Sequence, residues 1–148
     1  SAVRFFNVYG PNQNPNSTYS GVISILVDRY KKQLAGKKTE FTLFGDGSQS
    51  RDFVYIEDVI QALLLVAKEE KALGQQFNVG TGKSTTLLEL IHSIDQILGT
   101  ELALKYEAER SGDIRDSLAD ISKIRSLGYQ PKFDILNGME RYLKTEID

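Results

Sequence analysis

Short apolar runs alternate along this chain with longer stretches in which apolar residues recur every three to four positions, the rhythm of strands alternating with helices. Residues 2–9, AVRFFNVY, are rich in Val and Phe without clean alternation, which predicts a strand buried on both faces. Over 22–34 the residues Val22, Ile25, Leu26, Val27 and Tyr30 fall at helical spacing. Lys31 and Lys32 suit the carboxyl end of that helix, and Gly36 is its stop. Phe41 and Leu43, then Phe53, Val54 and Ile56, form two strand-like runs around a Gly45-Asp46-Gly47 turn, with Asp58 in position to cap a helix over 59–71. The pattern further predicts a short buried strand over 76–79, an amphipathic helix over 87–98 ended by Gly99, and an extended stretch over 102–106. A short helix over 121–127 closed by Gly128 follows. The last helix spans 135–147, with Ile135, Met139, Tyr142 and Leu143 on one face. No internal repeat or low-complexity tract interrupts the alternation, so the class is α/β or α+β.

Composition narrows the partners more than the fold. The 148 residues make one domain's worth of chain, enough to bury about 70% of the unfolded surface. Eighteen basic against twenty acidic residues give a net charge of −2, which removes any global electrostatic reason to expect nucleic acid or an anionic membrane as partner. Any anion site must be local. The absence of cysteine excludes disulfides and thiolate metal sites, and the single histidine, His92, argues against a zinc centre or a histidine-based triad. This fits a reducing cytoplasm. No apolar run approaches a membrane span, and no signal-peptide pattern opens the chain. The chain starts without methionine and goes directly into the apolar run, which predicts a fragment of a longer protein.

The segment NVGTGKST, residues 78–85, sits between a strand pattern and a helical one, where a nucleotide-phosphate loop would lie. The Gly-x-x-x-x-Gly-Lys-Ser/Thr loop needs a glycine at position 77, which is Phe77. The dinucleotide fingerprint Gly-x-Gly-x-x-Gly fails as well, because its third glycine is Thr85. The expected structure is a strand-to-helix turn in which Gly80 and Gly82 supply unusual backbone angles and Ser84 or Thr85 caps the helix. Loop 10–21 is rich in Pro, Asn and Gly and has the composition of a functional loop. Arg51 in GSQSRDF and Arg110 in ERSGD lie beside glycine or acid in loops. Their planar guanidinium groups suit a diphosphate, and equally a surface ion pair. Asp113 suits either ribose hydroxyls or a turn.

Four segments decide between these readings by their order. RFFNVYGPNQ, FGDGSQSRDFVYIEDV, FNVGTG and RSGDIRDSLADISKIRSLGYQP together closely resemble the C-terminal half of the extended short-chain dehydrogenase/reductases that act on nucleotide-diphosphate sugars. Among these the chain is most similar to the UDP-sugar 4-epimerases, including the branch acting on UDP-N-acetylhexosamines. The 4,6-dehydratases and decarboxylases acting on dTDP- or UDP-sugars share the same features, and a non-catalytic nucleotide-sugar-binding module is a further alternative. The resemblance implies an α/β fold made of the end of a Rossmann sheet plus a small α/β substrate-binding domain. Residues 1–148 would be the C-terminal nucleotide-sugar-binding portion, with NAD bound mainly by an N-terminal Rossmann half absent from the chain.

Position by position, the resemblance makes Asn7 a hydrogen-bonding partner of the diphosphate and sugar. It puts Phe5 and Phe6 near the nicotinamide, and the backbone N–H groups of Gly21 and Val22 at a phosphate. Thr42 and Phe44 would bracket uracil, Arg51 and Arg110 would clamp the pyrophosphate, and Asp113 would accept from the ribose. Gln13 and Ser117 would touch the sugar and its phosphate. The family's Tyr-x-x-x-Lys pair is absent: Tyr106 is followed four residues on by Arg110, and Tyr142 by Glu146. The expectation is a cytoplasmic chain with a UDP-sugar as partner, no catalytic residue, no metal and no activity alone, forming a homodimer or a self-associating fragment.

Overall fold

The computed structural model describes residues 1–17 and 21–147. The first apolar run makes two strands, not one. β1 (Ala2–Phe5) and β2 (Asn7–Tyr9) meet at Phe6, whose N–H donates to the Val79 carbonyl, while the Asn7 N–H donates to the Asp52 carbonyl. The change of partner carries through the ladders. β2 pairs in parallel with β5 (Phe53–Tyr55), and β1 pairs in parallel with β6 (Gln76–Val79). Burial on both faces is not reached: in β2 only Tyr9, 2% exposed, is buried, Asn7 and Val8 are half-buried, and in β1 Phe5 is 47% exposed. Among the described residues β1 has one strand partner, and little packs over it.

α1 (Val22–Leu34) forms where helical spacing predicts it and buries Ile23, Leu26, Val27 and Tyr30. The Tyr30 hydroxyl donates to Asp95 Oδ1 at 2.7 Å on α3 (Leu87–Leu98), joining the two helices through a buried ring. β3 (Phe41–Phe44) and β5 do not pair across the glycine turn between them. β3 instead pairs in parallel with β8 (Leu104–Glu107). Gly45 and Gly47 both adopt positive φ there, +75° and +79°, a conformation in which a side chain is strained. A fourth, three-stranded sheet places β4 (Ser50–Arg51) between β7 (Thr85–Thr86), antiparallel, and β9 (Asp116–Ser117), parallel.

α2 (Ile56–Lys68) starts two residues before the expected cap. Asp58 is a first-turn residue, and its buried carboxylate accepts the N–H groups of Lys132 and Phe133 at 2.9 and 3.1 Å. Burial raises the Asp58 pKa, and those two hydrogen bonds oppose the rise. The cap of α3 is Thr86, one residue beyond the expected pair. Its hydroxyl accepts the Glu89 N–H while the Glu89 carboxylate accepts the Thr86 N–H, a reciprocal box. α4 (Ser122–Arg125) and α5 (Ile135–Ile147) complete the chain. One apolar core lies among α1, α3, α5 and β3. A second, around Val54, Val59, Phe77, Val79, Ile124 and Tyr129, lies under α2 and α4. No described helix is long and apolar enough to cross a membrane.

Candidate functional site

Asp52, wholly buried, organises the region around it because one carboxylate there satisfies four donors. It accepts the Thr81 N–H and hydroxyl at 2.7 Å each, the Gly82 N–H at 2.8 Å and the Ala119 N–H at 3.3 Å. The 80–82 turn is thus closed on an internal anion, and its N–H groups are not offered to a phosphate. Gly82 has the expected positive φ of +70°, but Gly80 does not. Gly80 is required by space instead: a Cβ there would lie 2.6 Å from Asp52 Oδ2 and 2.7 Å from Ala119 Cβ.

The neighbouring residue in β4 points its chemistry elsewhere. Arg51 donates through Nη1 to the carbonyls of Ser50 and Arg115 at 2.8 and 3.1 Å, and through Nη2 to Asp113 Oδ1 at 3.1 Å. The surface-pair reading of Arg51 is therefore realised, but with Asp113 and not with the adjacent Asp52. Arg110 lies 3.7 Å over the Phe44 ring centroid and forms no ion pair among the described residues. Such a stack places a guanidinium without consuming its N–H donors.

These groups face one cavity of about 450 Å³ between α1 and β3. α1 contributes Val22, Ile25 and Arg29, spaced three and four residues apart along one stripe, while its buried residues fill the opposite side. β3 contributes Thr42 and Phe44, and Glu40 precedes them in the same two-residue period. Arg51, Arg110, Asp113 and Asn7 complete the polar lining.

Seven of the residues singled out in the sequence are brought together here: Asn7, Val22, Thr42, Phe44, Arg51, Arg110 and Asp113. The others lie outside this lining. Gly21 is the residue before α1, with Val22 beginning the helix, and Ser117 faces Arg51 across the β4–β9 ladder. Gln13 turns its amide to the Val8 carbonyl at 3.2 Å, and its Oε1 is buried without a partner. Phe5 and Phe6 belong to the β1–β2 junction. Part of the expected loop, residues 18–20, lies outside the described residues. Sequence reasoning missed Ile25, Arg29, Glu40, Phe41, Gln49, Phe53 and Leu87. Helical periodicity carried two turns past Val22, and strand periodicity carried one step before Thr42, would have found Arg29 and Glu40. Gln49 and Leu87 carry no local signal, since both arrive by way of the β4–β7 ladder, at whose end the Leu87 N–H donates to the Gln49 carbonyl at 3.1 Å. Among the described residues no group of His, Cys, Asp and Glu is placed to hold a metal ion.

Residues 1–80, more than half the chain, match the model of the NAD dependent epimerase/dehydratase family. The chain belongs to this family. It is 37% identical over 139 residues to a putative UDP-glucose 4-epimerase of Methanocaldococcus jannaschii, covering 94% of this chain and 43% of that protein. It is also 37% identical to the UDP-glucose 4-epimerase of Mycolicibacterium smegmatis, covering 91% of this chain and 41% of that one. Among solved structures, the UDP-N-acetylglucosamine 4-epimerase of Methanobrevibacter ruminantium, in complex with UDP-N-acetylmuramic acid, superposes with a TM-score of 0.86. It is 36% identical, covering 99% of this chain and 45% of that one. The UDP-glucose 4-epimerase of Thermotoga maritima with UDP-glucose gives 0.83 at 35% identity, covering 96% and 44%. This family member therefore spans somewhat over two-fifths of the length of the relatives it matches.

Proposed function

We propose that this chain is the nucleotide-sugar-binding part of an NAD-dependent UDP-sugar 4-epimerase, of the kind that interconverts UDP-glucose and UDP-galactose, and that residues 1–148 are its C-terminal portion. The observation that carries this reading is the convergence of two separately held arginines, Arg51 and Arg110, with Asp113 and Asn7 on one cavity. The epimerase names of the relatives and the UDP-linked ligands of the two solved neighbours support it.

The roles follow from what each group has left to give. A guanidinium carries five N–H donors; Arg51 uses three of them on the protein, leaving two for a phosphate oxygen. Asp113 spends Oδ1 on Arg51 and keeps Oδ2 to accept from ribose hydroxyls. Arg110, held by ring contact alone, keeps its donors for the second phosphate. The first turn of α1 adds backbone N–H groups that have no helical acceptor, beginning at Val22 after Gly21. Asn7 borders the same space and would meet the sugar side of the diphosphate. Gln13 and Ser117 join this reading as outer contacts to the sugar and its phosphate.

NAD supplies the hydride acceptor in the family's chemistry. The chain carries no Gly-x-Gly-x-x-Gly fingerprint of a dinucleotide loop. Asp52 occupies the Thr81 and Gly82 N–H groups of the glycine turn between β6 and β7, and Phe5, half-exposed at the end of β1, offers an apolar edge beside Phe6. No tyrosine in the chain has lysine four residues on. Incubation of this chain alone with UDP-glucose and NAD is expected to give no UDP-galactose, and measurable turnover would refute that half of the proposal.

Binding is tested by calorimetric titration of UDP into the full-length protein. Charge-assisted hydrogen bonds are worth about 1.5 to 3 kcal/mol each, so Arg51→Ala and Arg110→Ala should each weaken UDP roughly ten- to hundredfold. Arg141→Ala is the control, because Arg141 on α5 pairs with Glu57 at 2.7 Å and does not line the cavity. Equal behaviour of all three variants would overturn the site.

A further inference from the structure

We infer that the chain carries an anion site for a small phosphate monoester in the cavity between the turn after β6 and the loop that joins α4 to α5. This cavity measures about 510 Å³ and shares no lining residue with the one between α1 and β3. Three cations line it: Lys83 after the 80–82 turn, Arg125 at the end of α4, and Lys132. Asp134 is the single acid of the lining among the described residues, so the cations outnumber the acids by two in a chain whose net charge is −2. Asp134 also accepts the Asn137 N–H at 2.8 Å at the start of α5. None of the three cationic heads forms an ion pair, hydrogen bond or ring contact with a described residue, unlike Lys31, Lys32, Arg51, Lys105 and Arg141.

Both walls are held from behind. Asp52 fixes the 80–82 turn through the Thr81 and Gly82 N–H groups, and the Lys83 N–H donates to the Thr81 hydroxyl at 3.1 Å. Asp58 fixes the facing loop through the N–H groups of Lys132 and Phe133. The buried Tyr129 ties the walls together, its hydroxyl donating to the Gly80 carbonyl at 3.0 Å. Neither Asp52 nor Asp58 lines the cavity. These backbone N–H groups are consumed inside the protein, and what reaches the cavity is side-chain charge on a preset frame, which lowers the ordering cost of binding. The segment 78–85 thus fails as a phosphate loop in its backbone and contributes Lys83 instead. Lysine and arginine heads only donate, so the ligand must be rich in acceptors. A phosphate monoester brings acceptor oxygens and close to two negative charges near neutral pH, which matches the excess of two cations. The volume falls within the roughly 300 to 1,000 Å³ of small-molecule pockets, more than a bare phosphate fills, and Phe133 gives an organic body an apolar surface to lie against.

The experiment titrates glucose 6-phosphate and inorganic phosphate by calorimetry into the full-length protein at constant ionic strength, with saturating UDP present to occupy the cavity between α1 and β3. The inference does not depend on the UDP reading, because the substitutions locate the binding whether or not UDP binds. The ester is expected to bind one to one and more tightly than inorganic phosphate. Lys83→Ala, Arg125→Ala and Lys132→Ala should each weaken it roughly tenfold, the lower end of what a charge-assisted hydrogen bond contributes. Asp134→Asn, whose side-chain oxygen can still accept the Asn137 N–H, should tighten it about threefold by removing a like charge, a change of sign that loss of folding cannot produce. All four variants should keep the wild-type UDP affinity, and Lys144→Ala on α5, outside the lining, should leave the ester's affinity unchanged. Absence of saturable binding, or binding that all four variants leave unchanged, would overturn the site. Inorganic phosphate bound as tightly as the ester would overturn the assignment of an organic phosphate as its ligand.

Discussion

Asp52 shows how far a residue's role can lie from its sequence neighbourhood. In the sequence it is the aspartate beside Arg51, where a local ion pair is the natural expectation. In the fold it is wholly buried and anchors donors 29, 30 and 67 positions away, while Arg51 finds Asp113 at 62. None of those separations leaves a periodic trace, so the partners were not legible, whereas the arginine's capacity for an ion pair was. A buried donor left facing another donor costs about 1 to 3 kcal/mol. Asp52→Asn keeps the shape but turns an amide N–H toward donors that the wild-type carboxylate accepts, so it should lower unfolding free energy by about that amount. Urea unfolding with an unchanged slope is the measurement, and a variant as stable as the wild type would show that the four hydrogen bonds are not a determinant of stability.

At the scale of elements, legibility followed locality. α1, α3 and α5 appear with the bounds their spacing implies, because helical bonds and the residues that satisfy them are close in sequence. The strands were recognisable as apolar runs, but their partners were not: β3 joins β8 some sixty residues on, and β4 sits between β7 and β9. Capping falls between these cases, since Ser84, Thr85 and Thr86 all have side chains able to cap, and only the helix start selects one. That start places the reciprocal box at Thr86 and Glu89. Thr86→Ala should therefore cost about 1 kcal/mol of stability, while Ser84→Ala costs little. Comparable losses from both substitutions in denaturant unfolding would count against the box as the element that begins α3.

The whole molecule reads differently from its parts, because the family was legible from four ordered segments while the apolar side that α2 leaves uncovered was not. β1 has one strand partner among the described residues, and Phe5 at its end is 47% exposed. α2 adds Ile60, Leu63 and Leu64, exposed by 48%, 42% and 55%. In α2 Leu63 and Leu64 lie three and four positions after Ile60, so the three share one helical side, away from the buried Ala62. Apolar side chains gathered this way, together with an unpaired strand edge, favour association with another surface over exposure to water. Purified as the 148-residue chain, the protein is therefore expected to self-associate, with a weight-average sedimentation coefficient that rises with concentration. Leu64→Glu places a charge in the middle of the α2 patch, where burying it against a partner would be costly, and it should shift the distribution toward monomer without lowering the thermal midpoint. A chain that stays monomeric at high concentration would show that these exposed surfaces do not attract one another, and a Leu64→Glu variant that associates as strongly as the wild type would locate the contact on the β1 edge instead of α2.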